Sequence, residues 1–150
     1  MESMTIRSVY GEEKKIIGML DRLLSRQLFL EADCLDVKTA VSEACLNAIE
    51  HGNRLDPQRI VEVTVALHND TLVVTVADQG TGFTHFPLQN ELDQSDWNEA
   101  SQERGWGLLF VQSLVDEWTL YCRTDTRQFV AQMRKKLNKR EGLGLEWKRN

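Results

Sequence analysis

The fold is best predicted from Glu43-Ala44-Cys45-Leu46-Asn47-Ala48-Ile49-Glu50-His51, where apolar and polar positions follow each other in helical order. Glu43, Asn47 and His51 are spaced four residues apart, so their side chains would stack along one face of a helix. A carboxylate and a carboxamide on that face suit a general base and a metal ligand, and such oxygen ligands suit Mg²⁺. The polar edge of an ordinary amphipathic helix would show the same spacing, so this stretch alone leaves both interpretations open.

A second polar segment, Asp78-Gln79-Gly80-Thr81-Gly82-Phe83, directly follows a run of β-forming residues. An acidic side chain at the end of a strand can accept a hydrogen bond from an exocyclic amine. The two glycines allow positive φ angles and a close approach of the backbone to a ligand. A surface turn is the alternative interpretation of this segment.

A third segment, Arg104-Gly105-Trp106-Gly107-Leu108-Leu109, opens a predicted helix. Glycines at a helix start leave backbone N–H groups free for phosphate oxygens, and the helix dipole favours negative charge there. Arg104 could reach a terminal phosphate. The segment matches neither the P-loop nor the dinucleotide-binding fingerprint, and an ordinary glycine-rich loop before a helix is the alternative.

Hydrophobic periodicity predicts the elements around these segments. The predicted helices cover about residues 12–30, 35–51 and 107–118. The predicted strands cover about residues 61–67, 71–77, 119–122 and 129–133. Residues 84–104 are polar and aperiodic, which is typical of a functional loop or lid. Strands that are adjacent in sequence and helices that are grouped apart predict an α/β two-layer sandwich, with helices on one face of a mixed, mostly antiparallel sheet.

Composition limits the functional classes. A chain of 150 residues fits one domain, which we expect over residues 1–140, followed by a charged tail over 141–150. A net charge of −5 disfavours direct nucleic-acid binding, and no apolar run is long enough to span a membrane. The N-terminus lacks the apolar core of a secretory signal, so we expect a cytoplasmic protein with reduced cysteines.

The three segments, taken in order with the predicted lid between the second and the third, resemble the GHKL (Bergerat-fold) ATPases. Residues 41–52 match the N box of the anti-sigma factor serine kinase branch, residues 78–83 match the G1 box, and residues 105–108 match the G2 box. The resemblance covers nearly the whole chain, from about Thr5 to Leu137. It implies the histidine kinase-like ATPase fold, with ATP and Mg²⁺ as ligands.

The same resemblance implies roles for individual residues. Glu43 would be the general base for the acceptor hydroxyl, Asn47 would bind Mg²⁺, and Arg104 would stabilise charge on the transferred phosphoryl group. Asp78 would bond the adenine amino group. The glycines would shape the lid floor and allow backbone contact with phosphates. The nucleotide-binding residues predicted in this way are Asn47, Asp78, Gly80, Gly82, Gly105, Gly107 and Leu108.

For function, the resemblance implies an ATP-dependent protein serine/threonine kinase that is also an anti-sigma factor in bacterial regulation. Its partners would be a STAS-domain anti-sigma factor antagonist, a sigma factor and a second copy of the chain. A non-catalytic nucleotide-binding switch that regulates a partner phosphatase or another regulator is the alternative, favoured by a predicted lid that is acidic and has no lysine. An ATP hydrolase is less favoured, because no transducer domain is evident.

Overall fold

The computed structural model describes residues 1–80 and 107–140, and for 107–110 it describes the backbone only. The strands are β1 (Glu2–Arg7), β2 (Ile60–His68), β3 (Thr71–Ala77), β4 (Glu117–Cys122) and β5 (Phe129–Lys136). The helices are α1 (Glu13–Leu24), α2 (Glu31–Asn47) and α3 (Gly107–Leu114), and a π-helical turn (Ala48–Gly52) continues α2.

The strands form one sheet in the order β1-β2-β3-β5-β4. Every neighbouring pair among the described strands is antiparallel, so the mostly antiparallel sheet is confirmed and no parallel pair is found in this part of the chain. The strands that are adjacent in sequence, β2–β3 and β4–β5, pair as hairpins. Between them, β5 rather than β4 pairs with β3, with Val76 opposite Ala131.

One face of the sheet is buried, because the register aligns the apolar side chains of adjacent strands. A buried row crosses the sheet through Val65, Val74, Met133 and Trp118. The buried residues of α1 and α2 belong to the same core, which places both helices on this face. The opposite face carries a polar row, Thr64, Thr75, Gln132 and Thr119, so the described part of the chain forms the predicted two-layer sandwich.

Several boundaries differ from the sequence prediction. Helix α1 ends at Leu24, and α2 begins at Glu31 rather than near residue 35, because buried Phe29 interrupts the helical run between them. Helix α3 ends at Leu114, since Trp118 already belongs to β4 and packs in the core. No helix among residues 1–80 and 107–140 is long and apolar enough to cross a membrane.

Strand β1 was not predicted. Among the described strands it is an edge strand that pairs with β2 alone, and Ile6 is its only buried residue. A short edge strand with one buried side chain shows too little alternation to be recognised in a sequence. The strand matters for the site, because it leads into Ser8, which is fully buried at the end of the sheet nearest the π turn.

Candidate functional site

Helix α2 carries the first predicted site residues on its last turn and a half. Glu43 is half-buried, and Asn47, the last residue of α2, is 5% exposed. Their spacing of four residues lies within regular α-helix, so the predicted common face holds for this pair. His51 lies in the wider π turn, where α-helical spacing no longer applies, so its expected stacking on the same face does not follow.

The carboxamide of Asn47 is the clearest sign of a ligand site on α2. Its Nδ2 atom is buried and has no hydrogen-bond partner among the described residues. An unsatisfied buried polar group costs about 1–3 kcal/mol and is therefore rare unless a ligand or ion completes it. The amide flip is an assignment, so either polar atom of this group can face a ligand. A buried carboxamide of this kind fits a single oxygen ligand to Mg²⁺.

Phosphates and water would have to supply most of the coordination of such an ion. Within residues 1–80 and 107–140 no three His, Cys, Asp or Glu side chains are grouped to hold a metal ion. Mg²⁺ commonly takes one or two protein ligands and fills its octahedron with water and phosphate oxygens. The donor set on α2 therefore fits Mg²⁺ delivered with a nucleotide.

Asp78 lies at the end of β3, as predicted, and is 1% exposed. Its backbone N–H donates to the carbonyl of Phe129 at 3.0 Å, and its Oδ1 accepts from the N–H of Gly80 at 2.7 Å. Gly80 has a φ of +73°, which confirms the expected positive φ at the first glycine of this segment. The carboxylate is thus held at a strand end by the local turn.

Gly52 joins the first and second segments. A Cβ atom at this position would stand 2.0 Å from Oδ2 of Asp78, so only glycine lets the two segments approach this closely. In the sequence, Gly52 is the last residue of the N-box match, and Asn53 has no predicted role. Their place at the site depends on the π turn, in which the N–H of Asn53 donates to the carbonyl of Ala48, five residues earlier, at 2.8 Å.

The third segment is described only from its helix onward. Gly107 is the first residue of α3, and α3 packs along α2. The helix that follows the predicted G2 box therefore lies beside the helix of the predicted N box. Gly82, Arg104, Gly105, Trp106, the predicted lid and the tail 141–150 lie outside the described residues, as does the side chain of Leu108.

Cys45, within the first segment, takes no part in the chemistry of this site. None of the three cysteines forms a disulfide, and full burial raises the pKa of Cys45 to about 12. A thiol with such a pKa is protonated at neutral pH and is neither a nucleophile nor a metal ligand. Cys45 is a core residue.

Comparison with known families agrees with this geometry. The sequence profile of the histidine kinase-like ATPase domain matches residues 11–135. The chain belongs to this family. The match contains both described segments of the site and α3, so the resemblance found in the sequence is confirmed at the level of the family.

Similar proteins of known name include serine kinases and an anti-sigma factor. The chain is 36% identical over 101 residues to serine-protein kinase RsbW of Bacillus velezensis, an alignment that covers 65% of this chain and 63% of the relative. It is 31% identical over 103 residues to the anti-sigma F factor of Clostridium perfringens, covering 69% of this chain and 72% of the relative. The chain thus spans less than two thirds of the length of the RsbW relative.

Solved structures share the fold. The RsbU and RsbW domains of a Mycobacterium tuberculosis protein match 91% of this chain and 33% of that chain, with a TM-score of 0.58 and 18% identity. The structure of the SiaB–SiaC complex from Pseudomonas aeruginosa matches 90% of this chain and 89% of that chain, with a TM-score of 0.56 and 14% identity. The catalytic domain of histidine kinase ThkA matches with a TM-score of 0.55 and 16% identity, over 93% of this chain and all of that chain. These likenesses support the histidine kinase-like ATPase fold.

Proposed function

We propose that this chain is an ATP-dependent protein serine kinase and anti-sigma factor. In this proposal it phosphorylates a serine of a STAS-domain antagonist and, when not bound to that antagonist, sequesters a sigma factor. The observation that carries the proposal is the buried Nδ2 atom of Asn47, which has no hydrogen-bond partner among the described residues. Asn47 lies one helical turn after Glu43, in a chain similar to RsbW. We propose a cytoplasmic homodimer as the working form.

Bound ATP would supply the transferable phosphoryl group, and Mg²⁺ would neutralise charge on its phosphates. Asn47 would hold Mg²⁺. Glu43, half-buried on the same helix, would accept the proton of the acceptor serine or orient its hydroxyl. Asp78 would accept a hydrogen bond from the adenine amino group.

The remaining predicted residues complete the proposal. Gly80 and Gly82 would form the floor beneath the lid. Gly105 and Gly107 would present backbone N–H groups to phosphates at the start of α3, with Leu108 behind them. Arg104 would stabilise charge on the phosphoryl group in transfer.

The test is transfer of label from γ-labelled ATP, with Mg²⁺, to a STAS-domain protein from the same organism. The wild-type chain is compared with Glu43→Ala and with Glu62→Ala, a matched change on the outward face of β2. We expect one labelled serine with the wild type and Glu62→Ala, and none with Glu43→Ala. Equal labelling by Glu43→Ala would remove the proposed base, and no labelling by any variant would reject the kinase.

A second candidate is a non-catalytic switch that binds nucleotide and regulates a partner phosphatase or another regulator by contact. It is favoured by the composition of residues 84–104, which contain no lysine. Their acidic residues are Glu91, Asp93, Asp96, Glu99 and Glu103. Wild-type ATP binding without label transfer, together with stable capture of a partner protein, would select this function over the kinase.

A further inference from the structure

A buried side chain that the sequence did not assign to the site ties together the segments around Asp78. Asn53 is 1% exposed and directly follows the π turn. Its Nδ2 donates to Oγ of Ser8 and to the carbonyl of Ile60, both at 2.9 Å. Its Oδ1 accepts the backbone N–H of Gln79 at 2.8 Å. Both donors and the oxygen of this carboxamide are therefore used within the protein.

These bonds join three strand ends. Ser8 directly follows β1, and Ile60 is the first residue of β2. Gln79 is the second residue after β3, next to Asp78. Ser8 is itself fixed, because its hydroxyl donates to the carbonyl of Arg59 at 2.8 Å. Asn53 is thus anchored on the β1–β2 side by its donors and holds the β3 side by its oxygen.

The segment after β3 is held from both sides. Asn53 holds the main chain of Gln79, while the side-chain Oε1 of Gln79 accepts the N–H of Ile60 at 3.0 Å. The carbonyl of the same residue, Ile60, accepts a hydrogen bond from Nδ2 of Asn53. A peptide group held in this way restricts the torsion angles on either side of it, including those that aim the preceding side chain.

That preceding side chain is Asp78. Its carboxylate lies against Gly52, one residue before Asn53, and accepts the N–H of Gly80. The amide plane between Asp78 and Gln79 is therefore the link between the Asn53 network and the direction of the carboxylate. Rotation of this plane would move the carboxylate away from both Gly52 and Gly80.

We propose that Asn53 is a positioning residue for base recognition, which acts by fixing the Gln79 peptide and thereby the direction of the Asp78 carboxylate. This inference rests on the proposed nucleotide-binding function. A carboxylate with a fixed direction accepts from the adenine amino group and repels the carbonyl oxygen that guanine carries at the same place. Hydrogen-bonding sites discriminate strongly only when their polar groups are held in place.

The test compares Asn53→Ala with Asn53→Asp. Both variants lose the two Nδ2 donors and are expected to lose stability, but only the aspartate keeps an oxygen that can accept the N–H of Gln79. We expect the ratio of the GTP and ATP dissociation constants to fall about tenfold in Asn53→Ala and to be largely kept in Asn53→Asp. A purely structural role predicts that the ratio changes equally in both variants or in neither, and either result overturns the proposal.

Two further measurements separate positioning from loss of folding. Ser8→Ala removes one partner of Nδ2 without touching Gln79, and we expect it to lower the free energy of unfolding but to leave the ratio unchanged. In the nucleotide-free wild type, amide hydrogen exchange at Gln79 should be as slow as global unfolding allows, because Asn53 holds that N–H. Fast exchange at Gln79 would overturn the proposal even if Asn53→Ala does not fold.

This test is independent of phosphoryl transfer. A wild-type chain that prefers ATP but labels no serine would reject the kinase and leave the role of Asn53 standing. An Asn53→Ala variant that prefers ATP over GTP as strongly as the wild type would reject the role of Asn53 and leave the proposed kinase function standing. Equal wild-type affinity for ATP and GTP would overturn the inference, since no base selection would exist for Asn53 to support.

Discussion

Two buried asparagines, six positions apart, lie in opposite situations. Asn53, directly after the π turn, uses its donors and its oxygen on protein partners. Asn47, on α2, is nearly as buried, yet its Nδ2 has no partner in the described part of the chain. The exposed fractions are 1% and 5%, so burial does not explain the difference.

The contrast separates the site into a region that the protein completes by itself and a region that a ligand must complete. Around Asp78 the polar groups are paired before any ligand arrives, which favours a fixed geometry for recognising a flat, neutral group. Around Asn47 a polar group is buried and has no partner in residues 1–80 and 107–140, which is tolerated where phosphate, water or a metal ion supplies the missing bond. The first region should lose stability when it is altered, and the second should lose affinity.

The largest effect is expected at Gly52. In Gly52→Ala the new Cβ would stand 2.0 Å from Oδ2 of Asp78, so the π turn or the end of β3 must shift, at a cost of about 3 kcal/mol. Gly18→Ala is the matched control. A Cβ at Gly18, inside α1, would meet only Nη1 of Arg22 at 3.6 Å. That control should be about 0.5–1 kcal/mol more stable than the wild type.

Urea unfolding of the two glycine variants measures this difference. If Gly52→Ala unfolds at the wild-type urea midpoint, the close approach of Gly52 and Asp78 does not constrain the residue at position 52. The region around Asp78 would then be able to shift and accept a side chain there. The control also shows whether alanine in place of glycine acts through helix propensity alone.

The next effect is a difference between Asn53→Ala and Asn47→Ala in the nucleotide-free protein. Asn53→Ala removes three hydrogen bonds and leaves the N–H of Gln79 without its partner, so it should lower the free energy of unfolding by about 2–3 kcal/mol. Asn47→Ala removes an amide whose Nδ2 has no partner among the described residues, so it should change stability by less than about 0.5 kcal/mol. Equal losses in denaturant unfolding would erase the distinction between the two regions.

A smaller effect concerns affinity. Asn47→Ala should weaken ATP binding about tenfold with Mg²⁺ present and hardly at all in EDTA, because the lost group is the proposed protein ligand of the ion. Calorimetric titration in both buffers measures this, with Asn138→Ala as the control, since Asn138 is an exposed residue bonded to Asp33. If Asn47→Ala loses the same amount of ATP affinity with and without Mg²⁺, the proposed role of Asn47 as a metal ligand is contradicted.

The sequence predicted the parts of the fold that follow from local pattern. Alternation fixed β2 and β3, and the turn between them contains Asn69 in the left-handed region with a φ of +55°, as asparagine in a hairpin turn often is. The sequence did not predict strand β1 or the exact limits of α2, because their pairing and packing partners lie far away in the sequence. The π turn has no sequence signature that distinguishes it from the last turn of an α-helix.

The candidate site divides in the same way. Glu43, Asn47 and Asp78 were predicted from residue type and spacing together with the family resemblance. The structure places each at the element predicted for it, and their roles stay predictions. The role of Asn53 could not be found, because its partners Ser8 and Gln79 are 45 and 26 positions away in the chain. An asparagine after a glycine is typical of a helix end, and only the tertiary contacts show that its side chain turns inward.

The smallest effect is expected at the outer edge of the Asn53 network, where Glu12 holds Arg7, the residue before Ser8. The Glu12 carboxylate lies 2.7 Å from Nζ of Lys15 and 3.2 Å from Nε of Arg7. The pKa of Glu12 lies below its ordinary value of 4.5, mainly because of the hydrogen bond from Lys15. Burial raises this pKa, and the hydrogen bond from Arg7 lowers it further. Because the pKa is lower in the folded state, the pair stabilises the fold above the unfolded pKa and ceases to do so as the pH falls through the folded pKa.

Glu12→Gln should therefore be slightly less stable than the wild type at about pH 7, and this difference in stability should close in acid solution, at a pH below the folded pKa of Glu12. The stability difference between Glu12→Gln and the wild type should be small and should shrink in high salt, since Arg7 and Lys15 are mostly exposed. Urea midpoints at the two pH values measure it. A gap that stays constant would mean that Glu12 acts through packing rather than charge. A change in the GTP to ATP ratio would mean that the region around Asp78 depends on its surface ion pairs as well as on its buried bonds.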